Sequence, residues 1–100
     1  IIGNEAFNFF NGICVDCAFI SCDAIDDSGE VYSDNIAVAA VESAVLKNAK
    51  RKYVLCDSSK LGKRSIAHII NLRECDALIT GTSDSSVAEK LSYSINVDYV

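Results

Sequence analysis

Apolar and polar positions alternate along this chain in short blocks, and the blocks change period as they go. Residues 15–22 are mostly apolar, with the length and composition of a buried strand. Residues 23–29 are acidic and close on Asp27-Ser28-Gly29, which predicts a turn. Ser33, Asp34 and Asn35 then offer three N-caps ahead of the clearest helix, residues 36–50. That helix is built on Ile36, Ala40, Val41, Ala44, Val45 and Ala49, and its alanines suit close packing on a sheet. The cations Lys47, Lys50, Arg51 and Lys52 would sit at its C-terminal end, where they complement the dipole.

Residues 52–57 read as a second strand and residues 76–80 as a third, both short and apolar. Residues 65–70 alternate weakly and fit either a short strand or a helical turn. Upstream, residues 3–11 predict a short helix with Ala6, Phe7 and Phe10 on one face. Downstream, Ser83 or Asp84 caps a helix running to about residue 92, and residues 96–100 close with a last strand. Helices alternating with short apolar strands predict an α/β fold, a mainly parallel sheet of about four strands covered by helices. The 100 residues contain no proline, no repeat and no linker, so they are read as a single domain, part of a longer chain that begins upstream of Ile1.

Charge narrows the function. Fourteen acidic against nine basic side chains give a net charge of −5, which repels a phosphate backbone and argues against nucleic-acid binding by this segment. No apolar run approaches the about 20 residues of a membrane span, and no signal peptide is visible. Cysteines stand at 14, 17, 22, 56 and 75. Cys14 and Cys17 have C-x-x-C spacing but precede a strand, whereas a thioredoxin-like pair opens a helix. One histidine, His68, is too few for a zinc set with matching spacing. The thiols are therefore read as buried and reduced, in a cytoplasmic protein, with no metal and no cofactor. Asp23, Asp26, Asp27 and Glu30 miss the spacing of a calcium loop and read as a solvated turn.

The most chemical stretch is Val54-Leu55-Cys56-Asp57-Ser58-Ser59-Lys60-Leu61-Gly62-Lys63-Arg64-Ser65. An apolar strand halts at a carboxylate, two hydroxyls and an ammonium, which delivers polar groups to the C-terminal rim of a sheet, where open α/β folds bind ligands. Lys60 is a point-charge partner for a phosphate or carboxylate. The hydroxyls of Ser58 and Ser59, or the backbone around them, can complete an anion cradle. Gly62 permits a tight turn, Arg64 either reaches the same anion or lies in solvent, and Asp57 either accepts from sugar hydroxyls or holds Lys60. The plain alternatives are a loop ion pair and turn capping.

With Ala18-Phe19-Ile20, the Gly29 turn, the alanine-rich helix and Asp76-Ala77-Leu78-Ile79-Thr80 in order around it, this run resembles the C-terminal effector-sensing domain of DeoR-type bacterial transcriptional regulators. The resemblance extends from about Gly3 to Val100, and Asp-Ser-Ser-Lys-x-Gly-x-x-Ser is its specific part. It implies a fold similar to sugar-phosphate isomerases and coenzyme A transferases, and a phosphorylated sugar or similar small anionic metabolite as ligand. It also implies an N-terminal winged helix-turn-helix, absent from these residues, as the part that binds DNA. On this resemblance the ligand contacts are Ser21, Asp57, Ser58, Ser59, Lys60, Gly62 and Arg64, with no catalytic residue, in a cytoplasmic homo-oligomer without membrane contact. Departures from the family pattern fall at Ser21 and Gly81, where a glycine and an aspartate are usual. Val38, Glu42 and Ser43 stand where a glutamate and a lysine-arginine pair are usual. An isomerase-like enzyme and a structural module with a decayed cleft are the alternative readings.

Overall fold

The computed structural model describes residues 13–81 and 86–100. Its elements run β1 (Val15–Ser21), β2 (Ala24–Ile25), β3 (Glu30–Ser33), α1 (Ile36–Lys47), β4 (Ala49–Cys56), β5 (Ala67–Asn71), β6 (Ala77–Thr80), α2 (Ser86–Leu91) and β7 (Val97–Tyr99). Short 3-10 turns at Ser58–Lys60 and Leu72–Glu74 follow β4 and β5. The expected α/β class holds: β1, β4, β6 and β7 form a four-stranded parallel sheet in that order. The helix expected at residues 3–11 and the cap expected at Ser83 or Asp84 lie outside the described residues.

Two expectations are corrected. Helix α1 stops at Lys47 rather than Lys50, because the strand claims the next residues: Ala49 is registered against Val15 and Arg51 against Cys17. Of the four cations, only Lys47 lies in the last helical turn. Asn35 is the cap, its side chain accepting from the N–H groups of Ala37 at 2.9 Å and Val38 at 3.1 Å. The second correction is a sheet that the sequence pattern hides. Strands β2, β3 and β5 form a separate antiparallel sheet, so the ambiguous stretch near residue 68 is a strand. Asp26 Oδ1 accepts from Ser28 and Glu30 N–H across the turn between β2 and β3, where Gly29 adopts φ +84°.

The order of the parallel strands explains where the core lies. Each step from β1 to β4 to β6 to β7 moves one place in the same direction. Parallel crossovers are right-handed, so all three connections fall on the same face of the sheet. That face carries Ala18, Ile20, Val54 and Leu78, which pack with Ala39 and Leu46 of α1, Ile25, Val31 and Ile69 of the small sheet, and Leu91 of α2. Alternate residues point the other way. Phe19 is 61% exposed and Leu55 39%, and Phe19 stacks on Tyr53 with ring centroids 5.0 Å apart. Register is also locked by polar contacts: Asp76 N–H donates to the Lys52 carbonyl at 2.8 Å while its carboxylate accepts from Lys52 N–H at 2.7 Å.

Candidate functional site

At the C-terminal ends of β1, β4 and β6 lies a cleft of about 400 Å³. Ser21, Asp57 and Lys60, three of the residues expected to touch ligand, line it, with Cys22, Cys56 and Thr80 beside them. Ser58, Ser59, Gly62 and Arg64 are not among its lining residues. The strand end places the polar groups as follows. Asp57 caps the turn Ser58–Lys60, accepting from Ser59 N–H at 3.2 Å, while Lys60 N–H donates back to the Asp57 carbonyl at 2.9 Å. One Asp57 oxygen is thus committed to the backbone. The turn is then moored to the small sheet, because the N–H groups of Gly62 and Lys63 both donate to the Ile25 carbonyl, at 2.7 and 3.2 Å. Gly62 sits at φ +80°, and a Cβ there would stand 3.1 Å from Val87 Cγ2. The lysine loop is therefore held by the Asp57 cap and by backbone hydrogen bonds, not by the Lys60 side chain.

The Lys60 side chain is in no ion pair with another described residue. Arg64 is engaged elsewhere: its Nε donates to Tyr32 Oη at 3.3 Å, lies 3.8 Å from Asp26 Oδ2, and its guanidinium covers the Tyr32 ring. Ser65 Oγ donates to Asp34 Oδ1. His68 is partly exposed, with Nε2 3.3 Å from Glu30 Oε1.

At the end of β1, sequence reasoning named Ser21 but missed the Cys22 and Asp23 that follow it. The chain Ser21-Cys22-Asp23 ends β1 just as Leu55-Cys56-Asp57 ends β4, and Ser21 is registered with Leu55. The recurring Cys-Asp after an apolar strand was the available signal. Asp23 Oδ2 accepts from Asp34 N–H at 2.7 Å and from Ser33 Oγ at 3.3 Å. Burial, with Asp23 adding repulsion, pushes the Glu42 carboxyl up to about 7. Thr80 Oγ1 is buried without a hydrogen-bond partner among the described residues, an unmet polar group next to the cleft. Among the described residues, no three His, Cys, Asp or Glu side chains gather as a metal site requires.

Glu42 supplies a test by pH. Its folded-state value lies above the ordinary 4.5, so the folded state holds the extra proton between about 4.5 and about 7. Stability from this group is fully present below 4.5 and is lost as pH rises through about 7. Because the carboxyl is only half-buried, solvent screening reduces the effect to about 1 kcal/mol. Glu42→Gln should leave stability at about pH 5 unchanged and raise it at about pH 8, by roughly 4–8 °C in Tm. An unaltered pH slope in the variant would remove Glu42 from this role.

The family model described as the DeoR C terminal sensor domain matches residues 1–82. The chain belongs to the DeoR C-terminal sensor domain family. Among curated proteins, the lactose phosphotransferase system repressor of Staphylococcus epidermidis is 32% identical over 79% of this chain and 31% of its own length. The HTH-type transcriptional regulator GlpR of Haloferax volcanii is 28% identical over 91% of the chain and 36% of its own length. The L-fucose operon activator of Haemophilus influenzae is 27% identical over 77% of the chain and 30% of its own length. This DeoR sensor segment spans about a third of the length of these relatives. Among the described residues, no helix is long and apolar enough to cross a membrane.

Proposed function

We propose that this segment is the effector-sensing part of a transcriptional regulator, and that its cleft binds a phosphorylated sugar. Occupancy would be relayed to a winged helix-turn-helix in another part of the full-length protein, which binds DNA in the cytoplasm. The observation that carries the reading is the Asp57–Lys60 turn at the end of β4, which faces the cleft with an ammonium in no ion pair among the described residues. The relatives, named for repression of a lactose phosphotransferase system and activation of a fucose operon, support the regulatory role. Lys60 supplies the cationic contact for the phosphate, while Asp57, with one oxygen uncommitted to its cap, accepts from sugar hydroxyls.

The decisive experiment is thermal unfolding of the full-length protein against a panel of phosphorylated sugars and their unphosphorylated parents. A ligand at about 100 times its Kd adds about 2.7 kcal/mol of stability. Stabilisation by a phosphorylated member but not by its parent is the expected result. A flat response across the panel would reject the phosphorylated-sugar reading.

A further inference from the structure

Cys22 and Cys56 are brought together by the parallel register. Ser21 faces Leu55, so one further step sets Cys22 against Cys56, and both side chains line the cleft. Neighbouring strands run about 4.8 Å apart, within the roughly 4.4–6.8 Å Cα separation that a disulfide spans. All five cysteines are free thiols. Cys56 Sγ donates to the Asp57 carbonyl at 3.3 Å, and the two neighbouring thiols shift one another, Cys22 upward and Cys56 downward. The remaining cysteines differ: Cys14 and Cys17 are exposed, and Cys75 Sγ lies 3.9 Å from the Asn71 carbonyl at another edge of the fold.

We propose that Cys22 and Cys56 are an oxidant-sensitive dithiol, closing to a disulfide across the ends of β1 and β4 when a peroxide enters the cleft. Cys56 is the attacking sulfur. The neighbouring Cys22 thiol favours its thiolate and the Lys60 ammonium acts in the same direction, against the opposing effects of burial, Asp57 and Asp23. Cys22 is the proton-retaining partner, its thiol pushed up by the adjoining Cys56 and by burial. In the first step the Cys56 thiolate attacks one peroxide oxygen and the O–O bond breaks. Cys56 becomes a sulfenic acid and the released hydroxide takes up a proton as water. In the second, the Cys22 sulfur gives up its proton and attacks the sulfenic sulfur, expelling a second water and forming the S–S bond. Two thiols and one hydrogen peroxide yield one disulfide and two waters. A low-molecular-weight dithiol reverses the change by exchange. The proposal does not depend on which ligand the cleft binds.

The test uses the full-length protein carrying Cys14→Ser and Cys17→Ser, treated with hydrogen peroxide and digested without reduction. Fragmentation mass spectrometry should find the Cys22 peptide joined to the Cys56 peptide, two hydrogens lighter than the sum, and split again by dithiothreitol. Cys75, its thiol pushed up to about 11 by burial, should remain reduced at the same dose. With Cys22→Ser added, Cys56 should instead be trapped by dimedone as a sulfenic acid. Cys22 and Cys56 that both remain free to alkylate after peroxide would overturn the proposal. So would oxidation of Cys75 in step with them, or a Cys56 linkage only between two copies.

Discussion

Lys60→Ala is expected to weaken binding of the phosphorylated ligand by roughly 10–30-fold while leaving the unliganded protein as stable as before. Hydrogen bonds to a charged partner contribute about 1.5–3 kcal/mol, and an exposed ammonium falls at the lower end, about 1.5–2 kcal/mol. Lys60 is exposed and the described residues give it no ion pair, so removing its side chain breaks no ion pair of the fold. The turn survives the change, because Asp57 and the Ile25 carbonyl hold it through backbone N–H groups. Surface changes of this kind move stability by about 0.5 kcal/mol or less. Lys60→Arg should recover part of the affinity, since the charge is kept while the compact donor is replaced by a planar fork. Titration calorimetry of the three proteins reads the result. Equal Kd values for the parent protein and the Lys60→Ala variant would remove the turn from the binding site.

Leu78→Ala should cost about 3–5 kcal/mol, enough to consume much of the stability of a domain this size. Leu78 is fully buried at the middle of β6, registered with Val54 on one side and Val97 on the other. Rigid neighbours on two strands cannot collapse into the space, so the cavity term adds to the lost transfer energy. Phe19→Ala removes more carbon from the same sheet but from its exposed face, and should cost far less. Urea unfolding of both variants makes the comparison. A loss below about 1.5 kcal/mol for Leu78→Ala, or a larger loss for Phe19→Ala, would contradict the assignment of the two faces.

Most of the parallel sheet was readable because β1, β4 and β6 each carry a short apolar run, residues 17–20, 53–56 and 77–79, with polar or turn residues after it. The end of α1 was not, since Ala49 and the cations after it suit a helix terminus as well as a strand, and only pairing with β1 decides. The antiparallel sheet was hidden for a different reason. β2 has two residues and β3 four, and Val31, Tyr32 and Ser33 are buried consecutively, so no alternation marks them. At the cleft, Asp57 and Lys60 announced themselves as polar residues directly after a strand. Ser58 and Ser59, which share that pattern, turn out not to line the cleft, because a 3-10 turn rotates successive side chains away from one another. Arg64 was ambiguous in sequence, and its engagement by Tyr32 and Asp26 depends on contacts distant along the chain. Cys22 and Cys56 are far apart in sequence, and their meeting follows from register alone.

The one-way march of strands from β1 to β7 has a consequence for the whole sheet. Parallel sheets are stable when both faces are covered. With right-handed crossovers, none of the three connections between these strands covers the Phe19 and Leu55 face, so the stacked Phe19 and Tyr53 rings stand ready to be buried by whatever packs against it.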